Sequence, residues 1–385
     1  MPDRPKLLIL YDYFHPAFRA GGIIRSLVNL TGILDKEYDL FVICGDRDLR
    51  ESRPLPDIQS NQWLRYREHT QVFYADPSTI DAGFWRQQFE SVRPDFIYIN
   101  GLFSYRFNIL PLWAANGYAR ARVCVAPRGM LQEGALSIKS YKKRLFLLVA
   151  RWLGLYRRNI WHATNEQEAV DIRKNIPQHR IIHTIQVITD TPDIHMDGHP
   201  KSKSREVTRI TTISLIAEKK NQHMVLESLR HLPVNYPVVY HLYGPVKDVA
   251  YWNRCLQLMK NMPAHVEVAY KGVLDHEQVR RVMADYDFFV LLTKGENFGH
   301  AIAEALGTGT PALISPYTPW KALEERGAGW VADIQRAGAV QSALERAITL
   351  SDADYRQMSQ CAIGYLNEYL SRNDNAALYR QLFSL

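Results

Sequence analysis

The chain is short of cysteine, of long apolar runs and of metal-ligand spacings, and each shortage closes off a class of function. Four cysteines, Cys44, Cys124, Cys255 and Cys361, are scattered over 385 residues. None forms a CxxC pair, which argues against structural zinc and dithiol chemistry. Cys44 and Cys124 fall inside apolar runs and read as small buried hydrophobes, which suits a reducing, cytoplasmic setting. No apolar stretch reaches the roughly 18 residues of a membrane-spanning helix. The longest, near Leu145 to Leu155, is broken by Arg151. The N-terminus shows no separate apolar segment with a cleavage site, and Lys6 to Tyr11 reads as a first core strand. His15, His162 and His241 lack metal-ligand spacing and are expected to be structural. There are no internal repeats or low-complexity tracts.

What is present describes a globular α/β protein. The hydrophobic fraction is 46% and the charged fraction 23%, both ordinary for such a protein. The length accommodates two domains. Short apolar runs at Leu7 to Tyr11, Leu40 to Ile43, Phe96 to Ile99, Val123 to Ala126 and Trp161 to Thr164 alternate with helix-like segments. A second series follows at Ile210 to Ile213, Val238 to Tyr243, Val266 to Tyr270, Phe288 to Leu292 and Ala312 to Ile314. This rhythm predicts two doubly wound, Rossmann-like parallel sheets facing one cleft. Expected boundaries are an N-terminal Rossmann-like domain at 1–190, a polar, proline-containing linker at 191–206, a C-terminal Rossmann-like domain at 207–365 and a helical tail at 366–385. Ligands in such sheets sit beyond the carboxyl ends of the strands.

Net charge is +7 and the pI is near 9.1. No aromatic-basic recognition motif accompanies this, so nucleic acid is not an expected partner. The basic residues concentrate in Lys139 to Arg158, mixed with Phe146, Leu147, Leu148, Trp152, Leu153 and Leu155. That pattern suits a helix lying on an anionic membrane surface. A core helix with a solvated basic face is the equal alternative.

The most informative stretch runs from Gly295 to Pro311. Glu296 and Glu304 stand eight positions apart, with Asn297, Phe298, Gly299 and His300 between them. A buried strand should precede this stretch, and Ala301 to Leu306 should form a helix. One carboxylate then lies in a loop and the other about two turns into the helix. The helix start offers unpaired N–H groups and the positive end of its dipole to a phosphate, and His300 is expected to touch the same ligand. Such parts suit a ligand made of a sugar, a diphosphate and a ribose. Three further clusters follow strands. Pro16 to Ser26 contains Gly21 and Gly22, which let backbone approach a ligand. Ser214 to Asn221 contains Lys219 and Lys220, suited to a diphosphate. Ala126 to Lys143 contains Arg128, suited to a phosphate or sugar hydroxyl. Asp46-Arg47-Asp48 imitates an Asp-x-Asp metal motif, but its place after an early strand favours a loop role, and no metal site is assigned.

The Glu296–Glu304 spacing resembles the E-x7-E signature of family 4 of the retaining glycosyltransferases. AGGIIRS, CGDRDL (Cys44 to Leu49), Asn61-Gln62-Trp63, APRGM, GALSIK, WHATNEQE (Trp161 to Glu168), YGPVKD (Tyr243 to Asp248) and Thr318-Pro319-Trp320 are similar to a bacterial branch assigned to surface polysaccharides. The resemblance covers nearly the whole chain. It implies a GT-B fold with the C-terminal helix packing back on the N-domain. It also implies a UDP- or GDP-sugar donor, a lipid-linked or oligosaccharide acceptor, and no obligatory metal or other cofactor. By it, Glu304 holds the ribose hydroxyls, Glu296 the donor-sugar hydroxyls, Asn297 to Gly299 the sugar and phosphate, and Lys220 the diphosphate. Val273 and Leu274, after Gly272, present backbone to the base, and Gly22 lies under the diphosphate. Departures are Leu215 where the family carries arginine, Arg128 where it often has histidine, and Met130 where the branch has glutamate. Arginine stays protonated, so Arg128 is expected to bind rather than transfer a proton. Domain closure across the linker would then exclude water from the reaction. Two other readings stay open: a catalytically weak nucleotide- or glycan-binding subunit of a membrane assembly, and a nucleotide-sugar epimerase.

Overall fold

The computed structural model describes residues 4–132, 135–136, 140–156, 159–176, 185–187, 199–203, 206–233, 237–371 and 374–384. The chain divides into two compact units, residues 1–191 with 374–385, and residues 192–373.

The first unit holds eight strands: β1 (Lys6–Leu10), β2 (Asp39–Gly45), β3 (Trp63–Arg65), β4 (Thr70–Ala75), β5 (Phe96–Asn100), β6 (Arg122–Ala126), β7 (Ile160–Ala163) and β8 (Ile185–Val187). Their order across the sheet is β3-β4-β2-β1-β5-β6-β7-β8. All neighbours are parallel except β3, which runs antiparallel to β4. Residues 7 to 10 of β1 are fully buried, because a parallel sheet covered on both faces needs unbroken apolar strands. Alternation still sorts their side chains. Leu8 and Leu10 join Ile43, Ile97 and Ile99 on one face. Leu7 and Ile9 join Val42, Cys44 and Tyr98 on the other.

The closing helix, Asn375–Leu382, belongs to this second face. Its Tyr379 and Leu382, with Phe383, are buried among those residues. Arg122 Nη1 donates to the Ser384 carbonyl at 3.0 Å. The chain therefore returns to its first unit.

The second unit holds β9 (Thr208–Ile213), β10 (Val238–Tyr243), β11 (Val266–Tyr270), β12 (Phe288–Leu291), β13 (Ala312–Ile314) and β14 (Gly329–Val331). Their order is β11-β10-β9-β12-β13-β14, parallel throughout. Val290 faces the core containing Ile210 and Leu242, while Phe289 and Leu291 face Ile302 and Leu306. The three-residue strands β3, β8 and β14, and the longer β4, had no counterpart in the sequence reading. In β14, a Cβ at Gly329 would lie 1.9 Å from the Ala312 carbonyl oxygen, so the strand begins where only glycine fits.

Of the polar stretch 191–206, residues 191–198 and 204–205 lie outside the described residues. Two of its lysines are fixed to the second unit. Lys201 Nζ donates to the carbonyls of Met283 at 3.2 Å and Tyr286 at 3.0 Å, and to Thr310 Oγ1 at 2.5 Å. Lys203 Nζ donates to the carbonyls of Ala347, Ile348 and Leu350. The helix Asp352–Ser371 runs through residue 365 without a break, and the segment that rejoins the first unit starts at Asp374.

Candidate donor site

In a doubly wound sheet, a crevice opens where the strand order reverses. In the second unit the reversal lies between β9 and β12, so the loops after these strands, Ser214 to Asn221 and Leu292 to Gly299, converge there. Two hydrogen bonds join them, one between main chains and one from a side chain. The Lys294 N–H donates to the Lys219 carbonyl at 2.7 Å. Asn221 Nδ2 donates to the Leu292 carbonyl at 2.8 Å. Asn221 takes the left-handed conformation, φ 53°, which lets it end one short 3-10 turn and start the helix Gln222–Leu229.

These links bring Lys220 to Glu296. Lys220 Nζ bonds Glu296 Oε2, and both side chains are largely buried, 15% and 20% exposed. Burial alone would push the Glu296 carboxyl up. Lys220, Lys219 and the Asn297 N–H more than offset it, and the net displacement is downward. The site thus holds an ionised carboxylate beside an ammonium group. The Glu296 N–H is itself held by the Tyr317 carbonyl at 2.9 Å.

The helix His300–Gly307 starts at once. Gly299 caps it in the left-handed region, φ 85°, with no side-chain cap and no acid in the first turn. A Cβ at Gly299 would lie 2.9 Å from Ile302 Cδ1 and 3.2 Å from Glu296 Cγ. The helix end therefore presents bare backbone, the arrangement that favours an anion. Phe298 beneath it is 3% exposed. Its carbonyl accepts from Trp320 Nε1 at 2.6 Å, and its ring meets His300 edge-on at 4.8 Å. His300 is 8% and Glu304 4% exposed. Glu304 lies four residues after His300, little more than one turn at 3.6 residues per turn. This corrects the expected two turns: the helix starts at His300, one residue before the expected Ala301, and the rest of the spacing between the two acids is loop.

Val273 and Leu274 follow β11 at the same end of the sheet. The Gly244 N–H donates to the Gly272 carbonyl at 2.8 Å, drawing that segment toward β10. A Cβ at Gly244 would lie 2.0 Å from the Ser214 carbonyl oxygen. Gln222 Nε2 holds Ser214 Oγ at 3.1 Å and the Leu215 carbonyl at 2.9 Å. Lys219, Lys220, Val273, Leu274, Glu296, Asn297, Phe298, Gly299, His300 and Glu304 all belong to this strand-end region. Asn221, Gln222, Tyr317 and Gly244 complete it; of these, Asn221 carried a signal, a turn-former directly before a helix.

Gly21, Gly22 and Arg128 belong to the first unit. Gly21 caps the helix Gly22–Leu34 with φ 92°, and open space lies where its Cβ would stand. Asp48 fixes this loop: its carboxylate accepts from the N–H groups of Phe18 at 3.0 Å and Arg19 at 3.2 Å. Asp46 accepts from Ser60 Oγ at 2.8 Å. Both acids of the Asp-x-Asp imitation are thus engaged by loop donors. Arg128 is 6% exposed, in the left-handed region at φ 55°. Its Nε donates to Asn100 Oδ1 and its Nη2 to Tyr98 Oη, both at 2.9 Å. Glu168, beneath it, accepts the Gly129 and Thr164 N–H groups and the Thr164 hydroxyl. His162 Nδ1 bonds Tyr98 Oη.

Residues 199–363 match the family model described as Glycosyl transferases group 1. No curated protein sequence matches the chain. Solved structures match over nearly its full length. Sucrose-phosphate synthase from Thermosynechococcus elongatus has a TM-score of 0.75 at 16% identity, covering 99% of this chain and 100% of its own. Anabaena HepE in complex with UDP and glucose gives 0.68 at 15%, covering 98% of each chain. WaaG, a glycosyltransferase involved in lipopolysaccharide biosynthesis, gives 0.65 at 13%, covering 98% of each. The second unit therefore carries a glycosyl transferases group 1 domain, on a chain with the GT-B fold.

Proposed function

We propose that the protein transfers a sugar, with retention of anomeric configuration, from a nucleotide diphosphate-sugar to a hydroxyl of a lipid-linked or growing surface glycan, without an obligatory metal. The observation that carries this reading is the Lys220–Glu296 pair beside the uncapped start of the helix His300–Gly307. A diphosphate needs cationic and N–H donors, and a sugar needs a carboxylate acceptor; the pair supplies both within one crevice. Negative charge grows on the diphosphate as the sugar leaves. Lys220 and the helix start stabilise it most in the transition state. Glu296 takes donor-sugar hydroxyls and Glu304 the ribose. Lys219, His300 and Asn297 to Gly299 line the phosphate and sugar, Val273 and Leu274 face the base, and Gly21 and Gly22 offer bare backbone to an anion. HepE is described with UDP and glucose, which favours a uridine donor. Arg128, turned inward to Asn100 and Tyr98, serves by holding the loop after β6.

The acceptor side is supported by the helix Ser140–Trp152. Phe146, Leu147 and Ala150 pack against the first unit. Tyr141, Leu145, Leu148 and Trp152 follow the i, i+4, i+7, i+11 spacing of a second face and stay 77%, 47%, 62% and 84% exposed. Arg144 and Arg151 border this stripe on one side and Lys142 on the other. Residues 134–165 contain no aspartate or glutamate. Lys139, Arg157 and Arg158 lie outside the described residues. No helix among the described residues is long and apolar enough to cross a membrane. This surface suits peripheral attachment to an anionic bilayer. Leu215, where the family carries an arginine, favours one other reading: a nucleotide-binding subunit without transfer.

The test is a nucleotide-release screen over UDP- and GDP-sugars, with and without membrane lipid, alongside thermal shifts with UDP and GDP. Glu304→Ala and Lys220→Ala should each weaken nucleotide protection roughly tenfold or more, the loss of a hydrogen bond to a charged group. Wild-type protection by either diphosphate with no transfer to any lipid would favour the subunit reading. Unaltered protection in both variants would overturn the site.

A further inference from the structure

Positive charge is gathered in one part of this chain. Residues 96–165 carry eleven lysines and arginines and one acid, Glu133. That span is net +10 in a chain of net +7, so all other residues together are net −3. Eight of the thirteen large apolar side chains left exposed among the described residues fall in the same span. They do not all belong to the helix Ser140–Trp152. Tyr105 is 64% and Trp113 52% exposed, on the π-helical turn Tyr105–Ile109 and the short helix Leu110–Asn116 that continues it.

The two helices form one layer. Leu112 and Ala115 of the shorter, and Phe146, Leu147 and Ala150 of the longer, pack on the sheet face that holds Ile97, Ile99, Val123 and Val125. Contacts tie them at both ends. Phe103, just before the turn, meets Phe146 edge-on at 5.7 Å and lies 5.3 Å from Lys143 Nζ. Asn116 Nδ2 donates to the Leu155 carbonyl at 3.4 Å. Since the inner sides of both helices are fixed to the same sheet face, exposed Trp113 lies on the outer side of the layer, as Leu148 and Trp152 do. Arg86 Cζ stands 5.4 Å over the Trp113 ring. Arg106 and Arg120 are exposed, and no carboxylate among the described residues pairs with either. Arg122 and Arg128 are taken up by bonds within the unit. Exposed acids return only at the borders, with Glu90 on the helix Ala82–Val92 and Glu166 at the start of the helix Glu166–Asn175.

This combination selects a partner. Exposed leucines give nothing to a nucleic acid, which takes basic and aromatic groups. A merely solvated basic face does not account for two exposed tryptophans beside those leucines. Arginine and tryptophan together suit the headgroup level of an anionic bilayer, where the indole has an apolar body and a polar N–H. We infer that the bilayer-facing surface is the whole outer side of this layer, with Trp113, braced by Arg86, and Arg106 and Arg120 forming a second anchor beside the helix Ser140–Trp152. The inference rests on the peripheral-attachment reading and adds to it: two anchors fix the tilt of the first unit on the membrane, which one helix does not.

Tryptophan fluorescence of the full chain on phosphatidylglycerol vesicles containing bromine-labelled phosphatidylcholine tests it. Bound wild type should be quenched, and Trp113→Phe and Trp152→Phe should each remove part of that quenching. Arg106→Gln combined with Arg120→Gln, which spares every apolar contact, should weaken vesicle binding about tenfold at low salt and far less at high salt. Val249→Ala, at a 60% exposed position of the second unit, is the control and should change neither readout. Quenching unaltered by Trp113→Phe, or wild-type binding by the double arginine variant, overturns the inference and leaves the single helix as the attachment. Wild type that binds no anionic vesicle overturns the attachment reading as well.

Discussion

Truncating Leu148 to alanine should weaken binding to anionic vesicles about tenfold while leaving the fold intact. The magnitude follows from exposure. The change removes about three methylene equivalents, each worth about 0.8 kcal/mol on transfer from water. Leu148 is 62% exposed, so only about that share remains to be gained at a membrane. The product is about 1.5 kcal/mol, and 1.4 kcal/mol is tenfold in an equilibrium constant. Trp152→Ala, at 84% exposure, should lose more. Arg144→Ala should lose about 1 kcal/mol, and only that part should fade with salt. Leu147→Ala is the control. Leu147 packs against the first unit, so its truncation should destabilise the fold by about 2 kcal/mol and leave partitioning unchanged. Vesicle flotation with phosphatidylglycerol-containing and purely zwitterionic liposomes reads all four. The reasoning fails if the wild type does not float with the anionic vesicles, if it floats equally with both, or if Leu148→Ala matches it.

Gly244→Ala should destabilise the second unit by about 3 kcal/mol or more, because its Cβ would sit 2.0 Å from the Ser214 carbonyl oxygen; a urea midpoint like the wild type's would show that the loop after β9 can move aside. Lys201 supplies a pH test. Burial lowers it to about 8, against an ordinary value near 10.5. Between these values the unfolded chain holds more protons than the folded one, so this group's contribution to stability rises with pH. Denaturation midpoints of wild type and Lys201→Met should diverge in favour of the wild type from pH 8 to 10, and a constant difference would refute the assignment.

How much of this could be read beforehand depends on sequence distance. β1, β2, β5 and β12 were legible because strands buried on both faces must be apolar without interruption. β14 was not, since three residues starting with glycine carry no period. The candidate site of the second unit was legible in part: Glu296, Asn297 to His300 and Glu304 occupy one short stretch, where loop and helix signals meet. Asn221 and Gly244 matter because they let two chain segments approach, and that need appears only once β10, β9 and β12 lie side by side. Asp46 and Asp48 looked alike in sequence; the folded loop gives one to Ser60 and the other to the backbone before Gly21.

Asp12 and Ser104 are the extreme case. They stand 92 positions apart, neither falls in a recognisable motif, and an aspartate after a first strand is unremarkable by itself. Only the placement of β5 beside β1 puts the hydroxyl on the carboxylate. The same rule locates both crevices, since each sheet reverses its strand order once near its middle. In the second unit the reversal gathers a cation with an acid, and in the first an acid with a hydroxyl.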